Sequence, residues 1–423
     1  MTMRYTLSMG ENLADNLQEQ LPEDLFAFIR KAGELAERRR QCLYLVGGAV
    51  RDLLLERCNL DIDLVVEGDA IDLAQELGGF NQAEVTTHRR FGTATIQWRN
   101  RRADLASARA ETYARPGALP TVRPGGISDD LARRDFTINA MAIELTAPHF
   151  GEPIDPLGGR ADIEKGLVRV LHEKSFTDDA TRIWRAVRYE QRLGFNIEPG
   201  TLELLHRDID MLVTVSGDRI RHELELVLEE EDPERALTRA ARLGVLARVH
   251  PSLQADDWLA ETIEQARQRC LPERPTPHLI LALLAYRLTG EETDKLISYL
   301  NLPKRTAEIL RDTAAIKSNL NELSSPGLAP SRVYQRLHSY HLTALLANSV
   351  GSGSETAAEH IELFLNVLRH VQPSLDGNDL RKMGVPEGPR IKEILDRLRE
   401  SRLDGKIDTR EEEEEMVKGW VKG

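Results

Sequence analysis

The chain has 423 residues, 41% of them apolar and 30% charged, with a formal net charge of −13, a length that predicts roughly two to four globular domains rather than one core. Its three cysteines, Cys42, Cys58 and Cys270, show no CxxC or Cys/His ligand spacing, which argues against a disulfide framework or a zinc site and implies a reducing compartment. The polar stretch from Glu11 to Glu23 lacks the apolar core of a signal peptide, and no run of about 18 apolar residues follows, so a cytoplasmic protein with no membrane partner is expected.

Residues 1–35 read as an N-terminal helical extension. From 36 to 155, β-rich runs alternate with helical patterns: CLYLV, AVRDLLLE, LDIDLVV and DAIDLAQEL, then the strand-like EVTTH, TATIQW and RADLAS. That is a mixed α/β unit. The Pro- and Gly-rich RPGALPTVRPGG is expected to hold no regular structure. After Asp155-Pro156-Leu157-Gly158-Gly159, helical periodicity dominates, and we divide it into segments 156–255, 256–325 and 326–423. The last division rests on ELSSPGLAPS, which reads as a linker.

Ser175 with Asp178 predicts a capping-box-like start to one amphipathic helix through DDATRIWRAVRYEQRLGF. Farther on, GNDLRKMGVPEGPRIKEIL places a Gly-Pro step before another amphipathic helix, with Arg381, Lys382 and Arg390 near backbone N–H groups suited to a phosphate or to a plain packing turn. The acidic run Glu411 to Glu415 is expected to be solvated.

The net charge is awkward for a nucleic-acid binder, so local distribution must carry any such role, as in the series Arg182, Arg185, Arg188 and Arg192. Asp61 and Asp63 stand two apart in a strand-like run, which points both side chains to one face and Leu60, Ile62 and Leu64 to the other. Paired carboxylates repel unless a hard cation lies between them, and magnesium fits that chemistry. An exposed polar strand face is the plain alternative. Gly47-Gly48 ends a strand and opens a helix, where backbone N–H groups can approach a phosphate or simply make a tight turn. Asp104 falls in another strand and can serve as a general base or complete a metal shell.

The ordered set LVGGAVRD, DIDLVV, ADLASARAETY, DDLARRDFTINAMA and IDPLGGRADIEKGLVRV resembles the class II CCA-adding enzyme and bacterial poly(A) polymerase family of the DNA polymerase β superfamily. The resemblance implies an α/β, polymerase β-like nucleotidyltransferase head at 36–155, followed by all-α neck, body and tail domains. It implies template-independent addition of C and A to a tRNA 3′ end from CTP and ATP, with Mg2+ as the cofactor. Asp61, Asp63 and Asp104 would be catalytic, with Asp61 and Asp63 on the metal. Gly47, Gly48, Arg51, Arg133, Arg134, Asp135 and Asn139 would hold the sugar and triphosphate.

Asp179 and Arg182 stand where the family's EDxxR motif reads the base, with Arg185 and Arg188 in support; here the motif is Asp178-Asp179-Ala180-Thr181-Arg182, its first acid one methylene shorter. An acceptor beside a donor complements the amino group and ring nitrogen that cytosine and adenine share, and opposes uracil and guanine. Their ordinary alternative is an i,i+3 helix pair. The segment between Arg109 and Leu131 is long enough for the loop the family uses in switching from C to A. In DRIRHELELVLEE, Arg219 or Arg221 with Glu223 would brace neck helices.

Competing readings are an A-adding or CC-adding specialist, a poly(A) polymerase, a small-molecule nucleotidyltransferase, and a catalytically silent RNA-binding module. A homodimer is also considered.

Overall fold

The computed structural model describes residues 11–57, 60–81, 83–112 and 121–422. The chain divides into two compact units, Met1–Ser216 and Gly217–Gly423. Cys42 and Cys270 are free thiols; Cys58 and residues 113–120 of the expected switching loop lie outside the described residues.

The first unit is built on strands β1 (Leu43–Val46), β2 (Ile62–Val66), β3 (Glu84–His88), β4 (Thr93–Trp98), β5 (Arg101–Ser107), β8 (Ala142–Glu144) and β9 (Pro153–Ile154), in the order β3-β4-β5-β2-β1-β8-β9. Only the β2–β5 pairing is parallel in this sheet. A separate antiparallel ribbon joins β6 (Arg109–Thr112) to β7 (Thr121–Pro124). The ribbon corrects the expectation that RPGALPTVRPGG is irregular throughout: Pro124 closes the strand, where its missing N–H costs little.

Along β2, every side chain but Asp63 is buried. Ile62 and Leu64 share a face with Ala94, Ile96, Ala103 and Leu105, all nearly inaccessible; helix α4 (Ala70–Asn81) packs on β4 and β5, and α2 (Glu23–Arg38) on α4 and β1. Each such Leu or Ile contributes about 1.5–3 kcal/mol, which anchors the strand that presents Asp63. On the other face, Tyr44, Val46, Val65 and Ala108 pack with Ile127 and Leu131 of α5 (Ile127–Ala132). Leu60 departs from the expected pattern: it precedes β2 and is 42% exposed, because alternation applies only once the ladder begins.

Helices α1 (Ala14–Gln20), α3 (Gly48–Leu54) and α6 (Gly159–Lys165) complete the α/β part, and β10 (Leu167–Val168) pairs with β11 (Asn196–Ile197) beyond it. The expected single helix from Ser175 is two: α7 (Ser175–Asp178) and α8 (Thr181–Leu193), separated by an extended Asp179. Ser175 is the first helical residue and not a cap. Asp179 breaks the run because its carboxylate accepts from the Thr181 amide at 3.0 Å and hydroxyl at 2.7 Å, which starts α8 afresh. Helix α9 (Pro199–Asp208) closes the unit.

The second unit is helical from Gly217–Leu228 to Arg410–Lys422. One apolar cluster unites Ile316 and Leu323 with Val333, Leu337, Ile361, Phe364 and Leu403, so Glu322 to Ser331 turns the chain inside a shared core. Arg221 bridges its own helix to the carbonyls of Leu300, at 3.2 Å, and Asn301. The acidic run is not uniformly solvated. Glu413 is fully buried and accepts from the Ser374 and Leu375 amides at 3.0 and 2.9 Å and from Arg402 at 2.6 Å. Helical periodicity turns that one residue inward while its neighbours face out.

Candidate active site

Strand register assembles the acidic floor of a cleft. Asp63 pairs with Asp104 across the parallel ladder, Asp104 with Thr95, and Thr95 with Thr86. Residues paired across a sheet share a face, so Asp63, Asp104 and Thr95 form one row. Asp61, one residue before β2, also lines this cleft of about 710 Å3. Thr95 Oγ1 donates to Asp104 Oδ1 at 2.5 Å, and Arg102 pairs with Oδ2 at 2.9 Å.

Crowding by protein raises the Asp63 carboxyl to a pKa of about 6; Arg134 opposes the rise, and Asp104 and Asp61 add to it. Such repulsion is relieved by a cation. Among the described residues, no three His, Cys, Asp or Glu side chains form a ready-made cage. Magnesium is commonly held by one or two carboxylates together with substrate phosphates, so hard oxygens on this floor fit it without a third protein ligand.

Above the floor, Gly47 turns the chain from β1 into α3 at φ 72°. A Cβ there would meet Arg134 Nη1 at 2.8 Å, so position 47 needs glycine for its backbone and for the guanidinium beside it. Arg133 and Arg134 both grip Asp130, at 2.6 and 3.0 Å, and Arg133 also reaches Glu111 of β6 at 3.3 Å. Asp130 escaped the sequence reading, although its i,i+3 and i,i+4 offsets to the two arginines were a usable signal.

The segment after Arg134 is buried. Asp135 Oδ1 accepts from the Phe136 amide at 2.8 Å and from Asn139 at 3.1 Å, while Oδ2 pairs with Arg185 at 2.7 Å. Burial alone would raise the Asp135 pKa, but Arg185 and Asn139 outweigh it and hold the carboxyl below its usual range. Asn139 Oδ1 in turn accepts from Arg51 at 2.6 Å, and Arg51 forks onto Asp52 at 2.9 and 3.0 Å. The chain Asp52–Arg51–Asn139–Asp135–Arg185 therefore spans α3 to α8 within a single polar network.

From α8, Arg182, Arg185, Tyr189 and Arg192 line the cleft together with Asp179. Arg182 Nη1 donates to Ser175 Oγ at 2.7 Å, and Nη2 to the Arg133 carbonyl at 2.8 Å. Arg188 is the one predicted site residue on α8 that does not line the cleft. It is buried, with its guanidinium 5.0 Å from the Tyr189 ring centroid. Thr95, Arg102, Glu111, Asp130, Ser175 and Tyr189 are among the residues that only the structure brings to this site.

Residues 43–169 match the model of the Poly A polymerase head domain, and 194–257 match a probable RNA and SrmB- binding site of polymerase A. An A-adding tRNA nucleotidyltransferase from Halalkalibacterium halodurans is 33% identical over 95% of this chain and 94% of its own length. The chain belongs to the tRNA nucleotidyltransferase family. A second A-adding tRNA nucleotidyltransferase, from Geobacter sulfurreducens, is 35% identical over 94% of this chain, which spans about half, 47%, of that longer relative. A CCA-adding enzyme in its apo form superposes with a TM-score of 0.82 at 30% identity, over 97% of this chain and 99% of that one. Family membership accounts for the α/β head followed by helices. No helix among the described residues is long and apolar enough to cross a membrane.

Proposed function

We propose that this chain extends a tRNA 3′ end without a template, using CTP and ATP. The observation that carries the reading is a single cleft holding the carboxylate row, the paired arginines on Asp130, and Asp179 with Arg182. Two magnesium ions on Asp61 and Asp63, completed by triphosphate oxygens, would supply charge neutralisation at the phosphoryl centre. Arg133 and Arg134 bind the triphosphate as rigid forks. The network of Arg51, Asn139, Asp135 and Arg185 receives the ribose. Asp104, held by Thr95 and Arg102, accepts the proton of the RNA 3′-hydroxyl as its oxygen bonds to the α-phosphorus of the nucleotide and pyrophosphate leaves.

Asp179 accepts from the exocyclic amino group of C or A, and Arg182 donates to the neighbouring ring nitrogen. Guanine and uracil would leave both groups opposed. Arg188 sets the Tyr189 ring from beneath. On the same reading the head spans 36–155, the neck 156–255, the body 256–325 and a tRNA-holding tail 326–423, after the N-terminal extension 1–35, and the protein works in the cytoplasm.

A second reading, addition of the terminal A alone, is favoured by the names of the Halalkalibacterium and Geobacter relatives. One experiment separates the two. The protein is given magnesium, CTP and ATP singly and together, and three tRNA transcripts: one lacking the whole CCA end, one lacking only the terminal A, and one complete. Growth of the shortest transcript to full length supports C and A addition, extension of the second alone supports the specialist, and extension of none sinks both.

A further inference from the structure

The turn from β3 into β4, His88-Arg89-Arg90-Phe91-Gly92, takes no part in the nucleotide site described above. His88 and Thr93 line the cleft, so the turn between them forms part of its rim. Arg89–Phe91 make one helical turn with no buried residue, and the Phe91 side chain is 55% exposed. Gly92 closes it with a φ of 60°. The backbone of the turn is tied down, since Arg109 Nη1 donates to the Phe91 carbonyl at 3.2 Å, and the Arg90 guanidinium lies 5.7 Å from the ring centroid.

A lone exposed phenylalanine is ordinary on a protein surface. This one has three basic neighbours in sequence, and strand register fixes where it stands. Asp104 pairs with Thr95, whereas His88 pairs with Thr93 and Thr93 with Ala106. The His88 row therefore lies two residues past the Asp104 row on the same face, about 7 Å along the strands. Gly47, Arg51 and Asn139 gather at the β1 side of the sheet, while β3 is the outer strand on the far side of β5 and β2. An incoming nucleotide on the β1 side leaves the β3 side as the approach for the other reactant.

We propose that Phe91 is a stacking platform for the 3′-terminal base of the RNA acceptor, with Arg89 and Arg90 on the adjoining phosphates. The inference rests on the nucleotidyl-transfer reading and adds to it the place where the acceptor strand lies. Stacking tolerates any base because each presents a π face, which suits an end whose last base changes as it grows. The arginines supply local positive charge that the net charge of −13 withholds from the molecule as a whole. The platform stands in the turn beyond the His88 row, itself one same-face row from Asp104, so the acceptor strand would run from the turn along that face toward the carboxylate that takes its proton.

The test uses the full chain and a tRNA transcript lacking the terminal A, with ATP as the nucleotide. Phe91→Ala is expected to raise the KM for the transcript roughly fivefold or more, the scale of a lost base–aromatic stack. The KM for ATP should stay where it is in the unaltered protein, and Phe91→Trp should restore transcript affinity. Arg89→Ala with Arg90→Ala should raise the transcript KM and flatten its salt dependence. An unchanged transcript KM in Phe91→Ala, with the unaltered protein extending normally, would overturn the platform alone. Failure of the unaltered protein to extend any transcript would overturn the nucleotidyl-transfer reading and the platform with it. Because the ring is more than half exposed, its loss should leave the fold intact.

Discussion

Replacing Asp130 by asparagine removes one charge from beneath two arginines and keeps the shape of the side chain. Asp130 is fully buried; its Oδ1 accepts from Arg133 Nε and Nη2 at 2.9 and 2.6 Å, and its Oδ2 from Arg134 Nε and Nη2 at 3.3 and 3.0 Å. The new amide turns a donor toward a guanidinium. Breaking a buried pair on one side costs about 3–5 kcal/mol. The arginine side chains keep 19% and 18% exposure, so water recovers part of that, and about 2–3 kcal/mol is the working figure. In a unit of roughly this size, each kcal/mol moves Tm by roughly 2–4 °C, which gives a fall of about 4–12 °C. Arg133 keeps Glu111 at 3.3 Å, so Arg134 should shift more. Melting curves with and without ATP, together with the KM for ATP in transcript extension, read both effects: a lower Tm, less stabilisation by ATP, and a raised KM. A variant that melts within about a degree of the unaltered protein, with the same KM, would refute the idea that Asp130 positions these arginines.

Three further outcomes are expected. The folded pKa of Asp63, about 6, lies above its usual 3.8, so the folded state binds the extra proton between those values. The metal-free protein should then lose stability as pH rises through that window. Magnesium affinity should fall about tenfold per pH unit below 6, since a protonated carboxyl is a poor ligand, and titration calorimetry across pH 5–7 would contradict this if affinity were flat. Gly47→Ala combines a positive φ with a clash against Arg134, and is expected to cost about 1–3 kcal/mol and to raise the KM for ATP; a neutral substitution in melting and kinetics would disprove the close approach. Glu413→Ala should destabilise by about 2–4 kcal/mol because it leaves two buried amides unmet and takes a charged partner from Arg402, whereas Glu415→Ala at an exposed position should cost under about 0.5 kcal/mol; equal denaturation midpoints would argue against that burial pattern.

Local pattern made part of this legible. Alternation marked β2 and β5, and with them the face carrying Asp63 and Asp104; the Gly-Gly step marked the turn into α3. What pattern could not supply was register, since pairing Asp63 with Asp104 depends on which strands become neighbours across some forty residues. The break at Asp179 was hidden for a different reason. Asp178-Asp179-Ala180-Thr181 is compatible with a continuous helix, and only the competing bonds from Asp179 to Thr181 end one turn and begin another. Glu413 was misread because charge runs are solvated on average, and a buried member is revealed only by the amides and arginine that meet it. Asp130 is visible in the sequence only as spacing to Arg133 and Arg134, and spacing alone does not say that one carboxylate holds both guanidiniums.

The bond from Arg182 to the Arg133 carbonyl bears on where errors of incorporation would be felt. In the proposed reading, one end of that contact inspects the base and the other carries the backbone of a phosphate-binding side chain. An ill-matched nucleotide that tilts Arg182 would tug on the segment steering its own reactive phosphorus. Discrimination would then surface in slow turnover as well as in weak association, and a wrong nucleotide that did bind would seldom be joined.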